Sequence, residues 1–229
     1  MSNVVEEIKE SQKAHYHRGK SWEHCYAFFR DHKKFNNDEK IDLAALHLGF
    51  FLASWGMLRG ASFLLQKDYK FYISIVKILI KPKYNKLWDV NFLNESKDQV
   101  ENIGSLFKLK NDLMDGIEEN YQLDQLDKKE KHELDLIITK IIMATMGCVP
   151  AYDTYFKTGL KTKIDKVSFN EKSFSFFLKL IKDSKLTKIY KKEILTEKTN
   201  IKYPKMKLLD LHFWLIGYEI EKAKQNKKL

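Results

Sequence analysis

The sequence predicts an all-α globular protein, and three observations support this prediction. The chain has only 9 glycines and 3 prolines among its 229 residues, so it contains few of the residues that turns require. Its hydrophobic content of 44% is sufficient for a sizeable core. Apolar residues recur at helical spacing along almost the whole chain, and only residues 166–169 resemble a short strand. We expect one helical domain over residues 1–229, whose charge distribution allows lobes over 1–126 and 127–229 with a cleft between them.

Helices are predicted in order along the first half of the chain. Ser21 is a candidate N-cap for the first helix, which ends before the two asparagines at 36–37. The next helix starts near Asp38 and continues through IDLAALHLGFFLASWGMLRG, which is apolar almost all round and is therefore expected to be deeply buried. Gly60 permits a break. The helical pattern then resumes until Pro82, which cannot extend it.

The second half is predicted to contain shorter helices after an irregular, basic segment over residues 81–93. The predicted helices cover residues 94–121 and 128–146, a segment starting near Ala151, residues 171–183 and 186–196, and a closing helix after Pro204.

Charge is concentrated at the C-terminal end of the sequence. Residues 1–150 contain 22 Lys and Arg against 22 Asp and Glu, whereas residues 151–229 contain 19 Lys and 9 Asp and Glu, so the last third carries the entire net charge of +10. Such a region favours a nucleic-acid partner, since lysines gain from counterion release along a phosphate backbone. An AT-rich genome that encodes Lys at surface positions is the alternative. The basic runs lie at 81–86, 157–166, 188–192 and 198–207, and the candidate DNA-binding residues are Lys157, Lys161, Lys163 and Lys166.

Several classes of protein are disfavoured by the sequence. Cys25 and Cys148 are far apart and form neither a CxxC pair nor a disulfide framework, which indicates a reducing cytoplasm. The histidines at 15, 17, 24 and 32 lack zinc-ligand spacing, so neither a metal nor another cofactor is predicted. The first ten residues do not resemble a secretory signal, and the apolar stretch 43–58 is too short to span a bilayer.

The stretch GCVPAYD at residues 147–153 is the first candidate site. Gly147 can adopt the left-handed conformation that ends a helix, and Pro150 is pre-organised for the first turn of the next one. Asp153 would then lie in that first turn, where the helix dipole favours its ionised form. Such a carboxylate could stabilise a developing cation or orient a water molecule. Alternatively, it only caps the helix.

A stripe of polar and aromatic residues on the apolar helix is the second candidate site. Its members are four residues apart: His47, Phe51, Trp55 and Arg59. If the helix continues, Gln66 lies farther along a nearby face. An aromatic ring with Arg, His and Gln is a suitable lining for a pocket that binds a planar ligand such as a nucleobase. The alternative is a packed core in which the histidine is satisfied and the arginine pairs with a buried acid.

One part of the chain, about residues 133–165, resembles the helix-hairpin-helix DNA glycosylase superfamily. The resemblance rests on Thr139 and Lys140, the apolar helix after them, and the sequence VPAYD that ends at Asp153. It implies a helical cleft in which Asp153 stabilises an oxocarbenium-like sugar and guides water to C1′. Some members attack the sugar with a lysine at the position of Lys140. Here the LPGVG-type hairpin is missing before Lys140 and the interval to Asp153 is shorter, so a single-function enzyme is favoured.

The resemblance also implies roles for other residues. Trp55, Arg59 and His47 would contact the flipped base, Tyr152 would stack beside it, and the lysine-rich third would bind phosphates. Divergent bacterial members of this superfamily attack modified bases of phage DNA, which makes antiviral defence a conceivable role.

Two alternative functions remain open. The spacing of Arg18 and His24 resembles the Arg-x5-His motif of HEPN ribonucleases, although Gly19 replaces the polar residue that usually follows the arginine. The other alternative is a helical module that binds nucleic acid without catalysis.

Overall fold

The computed structural model describes residues 3–60, 62–94, 96–121, 128–183, 186 and 193–227, and within these ranges the fold is all-α as predicted. The helices are α1 (Asn3–Lys13), α2 (Gly19–Phe29), α3 (Asp38–Ser54), α4 (Phe71–Leu79), α5 (Gln99–Tyr121), α6 (Lys128–Thr145), α7 (Thr154–Leu160), α8 (Glu171–Asp183) and α9 (Lys205–Asn226). Short 3-10 helices cover His32–Lys34, Phe63–Gln66 and Pro82–Trp88. The β pairing in the described part is one isolated bridge between Leu195 and Lys202, so the strand predicted near 166–169 is wrong.

Helix α6 and the linker after it lie at the centre of the molecule. Every residue from Ile137 to Tyr152 is buried, including Thr139 and Lys140. One continuous hydrophobic core surrounds this segment and extends from Trp22 in α2 to Phe213 in α9. A charged side chain on α6 is therefore held deep in the fold.

Helix α3 begins as predicted, but it is less buried than its composition indicated. Its N-cap is Asn37, whose Oδ1 accepts a hydrogen bond from the backbone N–H of Lys40 at 2.9 Å. One face packs in the core, while the opposite face exposes Leu43, Leu46 and Phe50, the last with 64% of its surface accessible. Deep burial all round was therefore wrong, because α2, α4 and α6 cover only part of the helix surface.

The chain after α3 differs from the predicted helical extension. The helix ends at Ser54, and Gly56 and Gly60 both have positive φ, at 74° and 64°. A left-handed backbone interrupts helical hydrogen bonding, so Trp55 and Arg59 lie on a turn and no longer share a helical stripe with His47.

Other boundaries are also corrected. The helix expected from residue 61 to Pro82 is split into the 3-10 helix Phe63–Gln66 and α4, and α5 begins later than predicted, at Gln99. Helix α2 has Arg18 at its N-cap position, so Ser21 lies inside the helix. The predicted helix over 186–196, the basic run at 188–192 and the boundary between 126 and 127 lie wholly or largely outside the described residues.

The break after α6 has the predicted left-handed glycine. Gly147 has φ of 68°, and a Cβ there would lie 2.5 Å from Pro204 Cγ and 2.9 Å from Tyr26 Cε2. The next helix starts later than predicted, at Thr154. Pro150 therefore belongs to the linker, and Asp153 is the N-cap of α7 and not a first-turn residue.

Helices α7 and α9 touch through their backbones. A Cβ on Gly159 would lie 1.9 Å from the carbonyl oxygen of Phe213, and one on Gly217 would lie 1.8 Å from the carbonyl oxygen of Tyr155. Only glycine permits this approach. The contact fixes the start of α7 against α9.

No helix in the described ranges is both long enough and apolar enough to cross a membrane.

Candidate functional site

The candidate site is a cavity of about 260 Å³ between α1, α2, the turn after α3, α6, the start of α7, and α9. Its charged lining residues come from distant parts of the sequence: Glu7, Arg18, Arg59, Lys140, Asp153, Lys207 and Asp210. Its aromatic lining residues are Trp22, Trp55, Tyr155, Tyr203 and Trp214. The cavity therefore combines flat apolar surfaces with two lysines and two aspartates.

Lys140 reaches the cavity from the middle of α6. Only 4% of the residue is exposed, and its Nζ donates a hydrogen bond to the carbonyl oxygen of Trp55 at 3.0 Å. Burial lowers the pKa of Lys140 to about 8; the negative charges of Asp153 and Asp210 oppose this shift, and the positive charges of Lys207 and Arg59 add to it. About a tenth of this amine is therefore neutral, and nucleophilic, at pH 7, far more than for an ordinary lysine.

Asp153 faces the cavity from the N-terminal end of α7. Its Oδ1 accepts a hydrogen bond from the backbone N–H of Phe156 at 2.8 Å. Burial raises the pKa of this carboxyl group, and Asp210 adds to the shift, while the Phe156 N–H, Lys140 and Lys207 oppose it. From the sequence, the helix dipole alone was expected to favour the ionised form and so to lower the pKa of Asp153. In the structure burial outweighs the dipole, and the pKa is raised. A carboxylate with a raised pKa is a stronger base than one in water.

The linker that carries Asp153 is tied down on both sides. The backbone N–H of Ala151 donates to Asp210 Oδ1 at 2.9 Å, and the N–H of Tyr152 donates to Thr139 Oγ1 at 3.1 Å. Thr139 precedes Lys140 in α6. The backbone positions of Lys140 and Asp153 are thus connected by a short hydrogen-bonded path.

A buried ion pair between Lys207 and Asp210 forms another wall of the cavity. Their side chains are only 6% and 4% exposed, and Lys207 Nζ lies 2.7 Å from Asp210 Oδ2. The same Nζ is 4.6 Å from the ring centroid of Trp55 and 5.4 Å from that of Trp22. Both tryptophans can therefore stabilise this ammonium by cation–π attraction.

Trp55 connects the two lysines. Its ring lies 5.8 Å from Lys140 Nζ, and its Nε1 donates to the carbonyl oxygen of Arg18 at 3.2 Å. The guanidinium of Arg59 lies against Gly56: a Cβ added to that glycine would be 3.0 Å from Arg59 Cζ. Arg18 and Arg59 are exposed. They give the opening of the cavity a positive charge.

The structure brings together four of the predicted site residues: Lys140, Asp153, Trp55 and Arg59. Three others lie outside the cavity. His47, within α3, stacks on Phe28 of α2 with ring centroids 4.0 Å apart, and Gln66 is exposed on a 3-10 helix that follows the break after α3. Tyr152 is buried in the core against Phe156 and Phe169.

The predicted phosphate-binding lysines lie near the C-terminal end of α7. Lys161, Lys163 and Lys166 are exposed, whereas Lys157 is half-buried. Burial lowers the pKa of Lys157, and Asp135 and Asp153 oppose that shift. Three of the four lysines are therefore accessible to a polyanion.

Sequence reasoning missed Lys207, Asp210 and Trp214. The signal was available at the start of the closing helix, where KMKLLD places a lysine and an aspartate three residues apart on an otherwise apolar segment. Of the pair suggested for a ribonuclease, Arg18 lines the cavity, whereas His24 is exposed outside it.

Fold and site together define an all-α protein with a lysine–aspartate cavity lined by tryptophans. Comparisons of the chain with protein-family models, with curated proteins and with solved structures found no match. Any functional assignment must therefore come from the chemistry of the cavity.

Proposed function

We propose that this protein is a DNA glycosylase that excises a flipped, modified nucleobase. The observation that carries the proposal is that Lys140 and Asp153, the two residues that resemble the superfamily's catalytic pair, line one cavity. The cavity of about 260 Å³ is below the range of about 300–1,000 Å³ for drug-sized ligands, which favours a single heterocycle. A role in defence against phage DNA is part of this proposal.

Asp153 has a role that follows from its charge. Breaking the N-glycosidic bond leaves positive charge on C1′ and O4′ of the sugar, and a nearby carboxylate stabilises that charge. The hydrogen bond from the Phe156 N–H holds one carboxylate oxygen in place. The other oxygen is then the one that can face the sugar.

Lys140 is proposed as the nucleophile. Its neutral amine attacks C1′ as the C1′–N bond breaks; the base leaves with the bonding electron pair and takes a proton from water. The new ammonium gives a proton to Asp153, which passes it to O4′ as the C1′–O4′ bond breaks, so that the opened sugar is joined to Lys140 as a protonated imine. The pKa of about 8 favours this route. It replaces the single-function enzyme that the missing hairpin and the short interval between Lys140 and Asp153 favoured.

The test is an excision assay on a panel of single strands and the matching duplexes. The panel contains damaged, mismatched, hydroxymethylated and glucosylated bases, and products are read as alkali-labile strand breaks. Borohydride is added in parallel to reduce an imine to a stable protein–DNA adduct. We expect product on at least one substrate, an adduct with the wild type, and a rate loss of about 10²- to 10⁴-fold in Asp153→Asn.

Matched variants separate the roles of the two residues. Lys140→Met should form no adduct, while Lys33→Met, which removes an exposed lysine outside the cavity, should behave as the wild type. Product without an adduct would show that water, and not Lys140, is the nucleophile. No product on any substrate would reject base excision, and full activity in Asp153→Asn would reject the role proposed for Asp153.

A nucleic-acid-binding module without catalysis is the second candidate, supported by the charge of the last third of the chain. In that case DNA affinity falls steeply with salt and collapses when Lys161, Lys163 and Lys166 are replaced by Glu. The panel assay then gives no product. A flat salt response would reject this candidate.

A further inference from the structure

Three aromatic side chains form a partly exposed cluster beside the cavity. Trp214 and Tyr218, one turn apart on α9, stack with ring centroids 5.3 Å apart and planes 6° from parallel. Tyr155 of α7 packs edge-on against both, at 5.1 Å from Trp214 and 5.6 Å from Tyr218. We call these three residues the aromatic shelf.

The shelf is rigid because of the backbone contact beneath it. Gly217 precedes Tyr218 and touches the carbonyl of Tyr155, so the two helices cannot approach or separate without breaking this packing. A rigid ring loses little conformational entropy when a ligand binds to it.

The shelf is continuous with the proposed catalytic cavity. Tyr155 and Trp214 both line that cavity, and Tyr155 lies two residues after Asp153. Tyr218 extends the stack outward and is 37% exposed. If one unit of a polymeric ligand occupies the cavity, the neighbouring unit would therefore contact the ring of Tyr218.

Charge on the surrounding surface favours a polyanion. Arg18 and Arg59 lie at the cavity opening, and Lys222 is exposed one turn beyond Tyr218. Two acids lie between them: Glu219 is exposed, whereas Glu221 accepts hydrogen bonds from Thr158 at 3.4 Å and from Lys224 at 2.9 Å. Part of the negative charge of Glu221 is thus offset within the protein.

We infer that the aromatic shelf binds an unpaired nucleobase next to the nucleotide in the cavity, so that the preferred substrate is single-stranded or locally unpaired DNA. This inference rests on the proposed function for the identity of the polymer. A base within a duplex has both faces covered by its neighbours. Only an unpaired base can lay a face on Tyr218, and base–aromatic stacking contributes in a sequence-tolerant way.

The test compares single-stranded and duplex DNA with full-length protein. The probes are fluorescein-labelled dT12 and a 12-base-pair duplex, and the readout is fluorescence anisotropy at constant salt. We expect the wild type to bind dT12 more tightly than the duplex. Tyr218→Leu should weaken dT12 binding by about 5- to 100-fold, the range expected for loss of one stacked base, and leave duplex affinity within about twofold.

The conservative variant distinguishes stacking from a structural role. Tyr218→Phe keeps the ring and should bind dT12 within about twofold of the wild type, and both variants should keep the wild-type melting temperature within a few degrees. Unchanged dT12 binding in Tyr218→Leu, equal loss on duplex, or an equal defect in Tyr218→Phe would overturn the inference.

The excision assay keeps the two proposals separate. Excision by the wild type together with unchanged dT12 binding in Tyr218→Leu rejects the shelf and leaves the glycosylase proposal standing. Selective loss of dT12 binding without excision on any substrate supports the shelf and rejects the glycosylase. No binding of either probe rejects the shelf.

Discussion

Lys207 and Asp210 form an ion pair of 2.7 Å that is almost completely buried beside the cavity, and the aspartate also accepts the backbone N–H of Ala151. Asp210 therefore has two structural tasks. It neutralises an almost completely buried ammonium, and it holds the linker that carries Asp153. Removal of one charge should be far more damaging than removal of both.

Asp210→Asn should destabilise the protein by about 3–5 kcal/mol, because it leaves the ammonium of Lys207 buried without a counter-charge. The double variant Lys207→Met with Asp210→Asn removes both charges while the amide oxygen can still accept the Ala151 N–H. It should recover most of the loss. Urea unfolding of the three proteins measures the difference, and equal stability of the single and double variants would contradict this account of the pair.

The pKa of Lys140 predicts how base excision depends on pH. If the neutral amine attacks the sugar, the rate should rise about tenfold per pH unit well below pH 8 and level off above it. The lowered pKa of the amine places this inflection about 2.5 pH units below that of an ordinary lysine. Single-turnover rates between pH 6 and 9 measure it. A rate that is independent of pH across this range would remove Lys140 from the role of nucleophile.

The buried Lys140 ammonium should also lower the free energy of unfolding of the protein. Its pKa is lowered from 10.5 to about 8 in the folded protein, so the unfolded chain binds more protons between these values. Below pH 8 the buried ammonium costs about 3 kcal/mol, and the cost disappears as the pH rises towards 10.5.

Lys140→Met should therefore stabilise the protein at pH 7, with a gain that shrinks between pH 8 and 10.5. Urea unfolding at several pH values tests this. A variant that is less stable than the wild type at pH 7 would show that the bond to the Trp55 carbonyl outweighs the burial cost.

The sequence allowed the all-α class and half of the site to be predicted, for reasons that differ between residues. Helical periodicity and glycine conformation are local, so the start of α3 near Asp38 was predicted and Gly147 was correctly assigned a left-handed conformation. Asp153 and Lys140 were found through a pattern spanning only 15 residues, from Thr139 to Asp153. Both residues line one cavity because the short linker between α6 and α7 folds back onto α6, where the Tyr152 N–H donates to Thr139 Oγ1.

The remaining half of the site depends on long-range packing. Lys207 and Asp210 meet Lys140 only because α9 packs against α7 through two glycines, which no local pattern indicates. The helical stripe through His47 failed for the opposite reason. Positive φ values at Gly56 and Gly60 end α3 early, whereas Gly49 lies inside the same helix, so the presence of a glycine alone did not locate the break.

The glycine contact between α7 and α9 should be intolerant of any side chain. Gly159→Ala and Gly217→Ala each place a Cβ less than 2 Å from a backbone carbonyl oxygen, so each should destabilise the protein by about 3 kcal/mol or more. Gly104→Ala is the control. That glycine is exposed in α5 with no heavy atom within 4 Å of an added Cβ, and the substitution should stabilise by about 0.5–1 kcal/mol.

Thermal or urea unfolding compares the three glycine variants. Gly217→Ala should additionally weaken dT12 binding, since it displaces Tyr155 from Tyr218. A wild-type melting temperature for Gly159→Ala would mean that the helices can separate without cost.

His32 should make the protein sensitive to mild acid. Its ring stacks on Trp88 with centroids 3.8 Å apart, and its Nδ1 is buried without a hydrogen-bond partner among the described residues. Burial lowers the pKa of His32, and the charges of Arg30 and Lys33 add to the shift, while Asp89 opposes it. As the pH falls below about 6.5, the unfolded chain takes up a proton that the folded protein resists, so stability falls with it.

His32→Phe keeps an aromatic ring on Trp88 but cannot be protonated. We expect its melting temperature to fall less than that of the wild type between pH 7 and pH 5. Part of the slope should remain, because burial also lowers the pKa of His47 and His212. The exposed His15 provides the matched control, and His15→Phe should follow the wild-type curve. Identical slopes for His32→Phe and the wild type would show that the acid sensitivity arises elsewhere in the fold.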